Sequence, residues 1–147
     1  MTTVNVYLNF MGNCEDAFDL YKSVFGGEFA HLSRYKDIPA QDGMPPFPKE
    51  MDEKIMHVYF PISKETSLFG SDIGGSWAPT FQQGNNFSIT VSVGSKEEAD
   101  RLFNGLSAGG TITMPMADTF WGDYFGTVLD RFGVNWMIGF TYHPHKQ

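Results

Sequence analysis

The chain has 147 residues and a formal net charge of −7, from 10 Lys+Arg against 17 Asp+Glu. That length fits one domain with a sizeable core, and the acidic balance excludes a general binder of nucleic acid or anionic membrane, which needs a basic face. Aromatic content of 16% excludes a disordered chain, and the single cysteine, Cys14, excludes an internal disulfide and any Cys₄ or Cys₂His₂ zinc site.

In chain order, residues 4–10 are rich in β-branched and aromatic side chains and read as a strand. A helix follows from Asn13, with Ala17, Phe18, Tyr21, Val24 and Phe25 forming one apolar stripe before Gly26-Gly27 end it. Residues 28–35, 55–61 and 67–71 read as further strands. Between the first two of these, residues 37–53 hold four of the eight prolines and read as a surface loop; a second loop, 74–86, carries Trp77. Then the pattern returns. Residues 87–93 read as a strand, Ala99, Leu102, Phe103 and Leu106 stripe a helix that ends at Gly109-Gly110, and 111–114, 122–129 and 136–142 read as strands. At an offset of 82, Gly12, Asn13, Glu15, Asp16, Ala17 and Tyr21 meet Gly94, Ser95, Glu97, Glu98, Ala99 and Phe103. Ser95 with Glu98 has the form of a capping box, and Asn13 with Asp16 is its looser counterpart. No signal-peptide pattern and no apolar run near about 18 residues is present. The expectation is a soluble, cytoplasmic protein that meets no membrane and no nucleic acid.

Two tandem β-α-β-β-β modules resemble the vicinal oxygen chelate superfamily of glyoxalase I, bleomycin-resistance proteins and extradiol dioxygenases. The run from Tyr7 through Asn9, Gly12 and Cys14 to Ala17, then Tyr21 to Gly27, resembles the opening of its PhnB-like branch, labelled 3-demethylubiquinone methyltransferase-like. Ile55-Met56-His57, Leu68 to Asp72, Thr119-Phe120-Trp121-Gly122 and Asp130 to Ile138 point to the same branch. The resemblance implies an α+β chain whose modules, about 1–73 and about 87–147 with a linker of about 74–86, form one domain with a curved mixed sheet. It also implies a C₂ homodimer. By the same resemblance, the superfamily's metal ligands fall at Val6, Phe69, Ser88 and Met137. Val, Phe and Met offer no hard donor and a neutral Ser alone is weak, so the expectation is a chain with no metal and no cofactor.

Chemistry-bearing residues are few. His57, on a strand with Tyr59, could bind or protonate a ligand near neutral pH if it faces the concave side of the sheet; the opposite face leaves it merely hydrogen-bonded. Asp72 and Asp123 are candidate acid and base, with solvated carboxylates the plain alternative. Asn9 and Ser88 are polar residues on the opening strands and suit ligand hydrogen bonding. Trp121 and Trp136, with Phe120, Tyr124 and Phe125, are candidates to line a pocket or to fill core, and Trp77 to close a lid. Cys14 at a helix start reads as structural, His31 lies on an outer strand, and His143 and His145 lie in the terminal tail. No glycine-rich turn of the kind that binds S-adenosylmethionine follows a suitable strand, and Gly74-Gly75 has the wrong pattern, which speaks against methyl transfer. The leading expectation is a metal-independent protein that binds a small organic ligand in an aromatic cavity. The alternatives are a metal-dependent lyase or isomerase of the glyoxalase class using His57 with Asp72, and a drug-sequestering resistance protein.

Overall fold

The computed structural model describes residues 1–39, 42–43 and 46–142. Two compact units make up the chain, Met1–Gln82 and Gln83–Gln147. In the first, strand β1 (Val6–Phe10) leads into helix α1 (Cys14–Phe25), followed by β2 (His31–Arg34), β3 (Ile55–Pro61) and β4 (Ser67–Asp72). The second repeats the order with β5 (Ile89–Ser92), α2 (Lys96–Ser107), β6 (Thr111–Asp118), β7 (Asp123–Leu129) and β8 (Asn135–Thr141). Each unit holds a four-stranded mixed sheet of matching topology, β1-β4-β3-β2 and β5-β8-β7-β6. In each sheet the opening and closing strands pair in parallel and the other pairs are antiparallel. This is the α+β architecture of two β-α-β-β-β modules. No helix among the described residues is long and apolar enough to cross a membrane.

The helices form because each presents one apolar stripe to its own sheet. On α1 the buried residues are Cys14, Ala17, Phe18, Leu20, Tyr21 and Val24; on α2 they are Ala99, Leu102, Phe103 and Leu106. Phe18 meets Phe10 and Tyr21 edge-on at 6.4 and 5.5 Å. It also presses on Gly70 of β4, where any Cβ would collide with its ring. The second core gathers Leu102, Leu106, Val128, Trp136 and Ile138, all at most 1% exposed. Burial of each such side chain is worth about 1.5–3 kcal/mol.

The helix starts differ in chemistry. Ser95 Oγ accepts the Glu98 N–H at 3.1 Å, so α2 is capped locally, while the Glu98 carboxylate turns to Arg101 at 2.6 Å. The Arg101 hydrogen bond holds that carboxyl below its usual range. Asn13 makes no side-chain cap bond. Its place is taken from a distance: Asp72 Oδ1, at the end of β4, accepts the Gly12 and Cys14 N–H groups at 2.9 and 3.0 Å.

Strand ends depart from the expected ranges for local reasons. β6 continues past Pro115 to Asp118, because the pairing with β7 absorbs the proline through register shifts between Ile112 and Met114 and between Met114 and Ala117. β6 is also a sheet edge, where a missing N–H is tolerated. β2 begins only at His31, since residues 28–30 are still returning from the helix. The two loops contain short 3₁₀ turns, Lys49–Met51 in the first and Gly75–Thr80 in the second.

Candidate functional site

Side chains alternate along a strand, so register decides which residues share a face. In the first sheet Leu8, Phe10, Val58, Phe60 and Leu68 are buried on the helix side. The other face is ordered in two rungs. Across one rung His31 pairs with Tyr59, Tyr59 with Phe69 and Phe69 with Tyr7, so every strand contributes a ring. The ring centroids of Tyr59 and Phe69 lie 4.8 Å apart, and Tyr7 and Phe69 lie 6.3 Å apart with planes only 10° from parallel. The next rung is polar. Asn9 pairs with Ser71 and Ser33 with His57, and Ser71 Oγ donates to Asn9 Oδ1 at 3.3 Å.

His57 joins the two rungs. Its ring centroid lies 5.8 Å from both His31 and Phe69, and Tyr7 Oη is 3.4 Å from its Nδ1. Partial burial, and then the neighbouring His31, push the imidazole below its ordinary value. Tyr7 and Tyr59 remain 48% and 36% exposed, which leaves the aromatic rung accessible.

Several expected site residues lie elsewhere. Asp72 is 1% exposed and belongs to the helix side with Leu68. Besides the two N–H groups at the start of α1, its Oδ2 accepts the Ile55 N–H at 2.9 Å. A carboxylate holding three backbone donors fixes local structure and is not free to act as acid or base, alone or with Asp123. Trp136, expected to line a pocket, is 1% exposed and points to the core beside Ile138, with its Nε1 donating to Asp130 Oδ2 at 2.8 Å. Tyr124 also sits on the helix side, donating to Asp100 of α2 at 2.5 Å; that bond pushes its phenol up to about 12. Cys14 is fully buried, and burial, then Asp72 and Glu15, raise its thiol far above the usual range, which makes it unreactive.

In the second sheet the face away from α2 carries a different set. Thr90 pairs with Met137 and Met137 with Thr127. Thr90 Oγ1 donates to Met137 Sδ at 3.7 Å, and the hydroxyls of Thr113 and Thr127 meet at 2.5 Å. Ser88 is exposed just before β5. Trp121 packs edge-on to Phe125 at 6.1 Å and donates its Nε1 to Asp123 Oδ2 at 2.8 Å, so that carboxylate orients the indole. Phe120 is 98% exposed. Trp77 lies in the 3₁₀ turn Gly75–Thr80, with its side chain outside the described residues, as are His143 and His145.

The positions at which the resemblance implies metal ligands do not fit a divalent ion. Val6 shares the parity of Leu8 and Phe10 and so belongs to the helix side, and its neighbour Tyr7 takes the open face. Phe69 reaches that face but as a ring; in the second module Met137 brings a thioether and Ser88 a neutral hydroxyl. No group of three or more His, Cys, Asp or Glu is arranged for a metal ion among the described residues.

Comparison with known proteins agrees with this architecture. The family model described as 3-demethylubiquinone-9 3-methyltransferase matches residues 2–139. Protein YjdN of Escherichia coli is 37% identical over 139 residues, 90% of either chain. The crystal structure of protein PA1353 from Pseudomonas aeruginosa, 35% identical, superposes with a TM-score of 0.80 over 96% of this chain and 98% of that one. A PhnB protein from Bacillus cereus, described as a putative 3-demethylubiquinone-9 3-methyltransferase and 24% identical, shares the fold with a TM-score of 0.73 over 95% and 100% of the two chains. Solved glyoxalase-related proteins share it at TM-scores of 0.60 and 0.63. The chain belongs to the 3-demethylubiquinone-9 3-methyltransferase family.

Proposed function

We propose that this chain binds a small, flat organic molecule on the aromatic rung of its first module and does so without a divalent metal. The observation that carries this reading is the row His31–Tyr59–Phe69–Tyr7, one ring from each strand, with partly exposed tyrosines and a polar rung beside it. Rings offer stacking area at low conformational cost, and a few polar groups set orientation. The donor-poor family metal positions support the metal-free clause. Methyl transfer is not part of this reading. Each sheet has one parallel pair, so neither resembles the doubly wound sheet whose strand ends hold a nucleotide cofactor.

The test is a titration with 2-naphthamide, a neutral flat probe, in chelator-treated buffer, read by protein fluorescence. Binding is expected, with Phe69→Ala and Tyr7→Ala each weakening it about tenfold, or about 1.4 kcal/mol, and with the probe recovered unchanged. Affinity that is indifferent to both substitutions sinks the aromatic rung, and binding that appears only on adding Ni²⁺ or Zn²⁺ sinks the metal-free clause.

A further inference from the structure

The polar rung beside the rings carries groups that can donate to a ligand. Asn9 Oδ1 accepts from Ser71 Oγ at 3.3 Å, which leaves the Asn9 amide to act as a donor. Ser33 Oγ is buried and has no hydrogen-bond partner among the described residues, although Ser33 stands directly across from His57. A buried hydroxyl in that state is costly, and an acceptor brought next to it recovers the loss.

Charge narrows the partner further. The groups that face His57 are Tyr7 from β1, His31 from β2, Tyr59 on its own strand and Phe69 from β4, with Tyr35 beyond the end of β2 donating its hydroxyl to the Asp72 carbonyl at 2.6 Å. No carboxylate and no fixed cation stands on either rung. The two imidazoles lie 5.8 Å apart. Burial, and then His31 beside it, disfavour an imidazolium at His57, and an anion set against that ring offsets the cost.

Resting on the reading above, we infer that the two rungs form a site for an aromatic monoanion of the aryl-carboxylate class. Its ring lies on the aromatic rung, and its carboxylate is held by His57, Ser33 and Asn9 with uptake of one proton by His57. His57 starts from a lowered value in the free protein, and a bound carboxylate raises it. Between those two values binding takes up a proton, so affinity rises as pH falls through that window.

The experiment is calorimetry of the full chain with 2-naphthoate at pH 5.5, 6.5 and 7.5, in two buffers of different ionisation enthalpy, with 2-naphthamide as the uncharged counterpart. Naphthoate, ionised throughout this range, should bind roughly tenfold more tightly at pH 5.5 than at pH 7.5, with close to one proton taken up per ligand in the linked window. Naphthamide should bind with no pH dependence. His57→Gln should abolish both the proton uptake by naphthoate and the pH dependence of its affinity. Naphthoate affinity that is flat with pH overturns the inference, and so does proton uptake that persists in a His31→Gln/His57→Gln double variant. If naphthamide binds and naphthoate does not, the anion inference falls and the aromatic-rung reading stands; if neither binds, both fall.

Discussion

Asp72 sits where three backbone N–H groups converge, those of Gly12, Cys14 and Ile55. It thereby ties the turn before α1, the helix start and the start of β3 to the end of β4. Replacing it with Ala orphans three donors near the core, each costing about 1–3 kcal/mol when left without a partner. Asp72→Ala should therefore lower the unfolding free energy by about 3 kcal/mol or more in urea titration, and Asp72→Asn, which keeps one acceptor oxygen, by about half that. A loss under 1 kcal/mol would contradict the role given to this carboxylate. The sequence names Asp72 as a residue of interest, but its job depends on which side of β4 it faces. Parity alone separates it from Ser71 and Phe69, and parity needs the register that only pairing supplies. The same ambiguity affects Trp136, whose place beside Ile138 on the helix side looks, in sequence, no different from a pocket position.

At the scale of elements, the repeat at an offset of 82 is visible in the sequence and it yields both helices with their buried stripes. The repeat does not extend to how each helix is capped. Ser95 serves α2 directly, whereas α1 relies on a residue 58 positions beyond Cys14. Ser95→Ala should cost about 1 kcal/mol of stability, and Asn13→Ala a few tenths at most, since Asn13 makes no cap bond. Paired thermal melts check the contrast, and equal losses would refute it. Composition picks out β3 to its ends, Ile55–Pro61, because β-branched and aromatic residues fill it and its one proline, Pro61, stands at its end. β6 is harder: Pro115 marks a stop in sequence, and only its position at a sheet edge lets the strand run on. For the site, His57, Tyr59 and Asn9 are readable from alternation along their own strands. Tyr7, Phe69 and His31 are not, since a rung across four strands is a property of pairing and leaves no local pattern.

At the scale of the whole molecule, the two modules share a topology while their open faces have diverged, with rings across the first and threonine hydroxyls and a thioether across the second. The repeat is therefore clear in the helices and faint on the faces away from them. The family resemblance leads us to expect a C₂ homodimer. Light scattering at micromolar protein should then give twice the 16.5 kDa chain mass, and a value near the single-chain mass would refute it. The irregular edge strand has a bearing on how copies of this chain can meet. β6 exposes Ile112 and Met114, at 51% and 48%, on a strand at the rim of its sheet. A straight strand of that composition would template the addition of another, and then another, into a growing fibril. Pro115 removes a donor in mid-strand and the shifted register on either side breaks the ladder, so the rim lacks the continuous row of donors and acceptors that stepwise polymer growth needs.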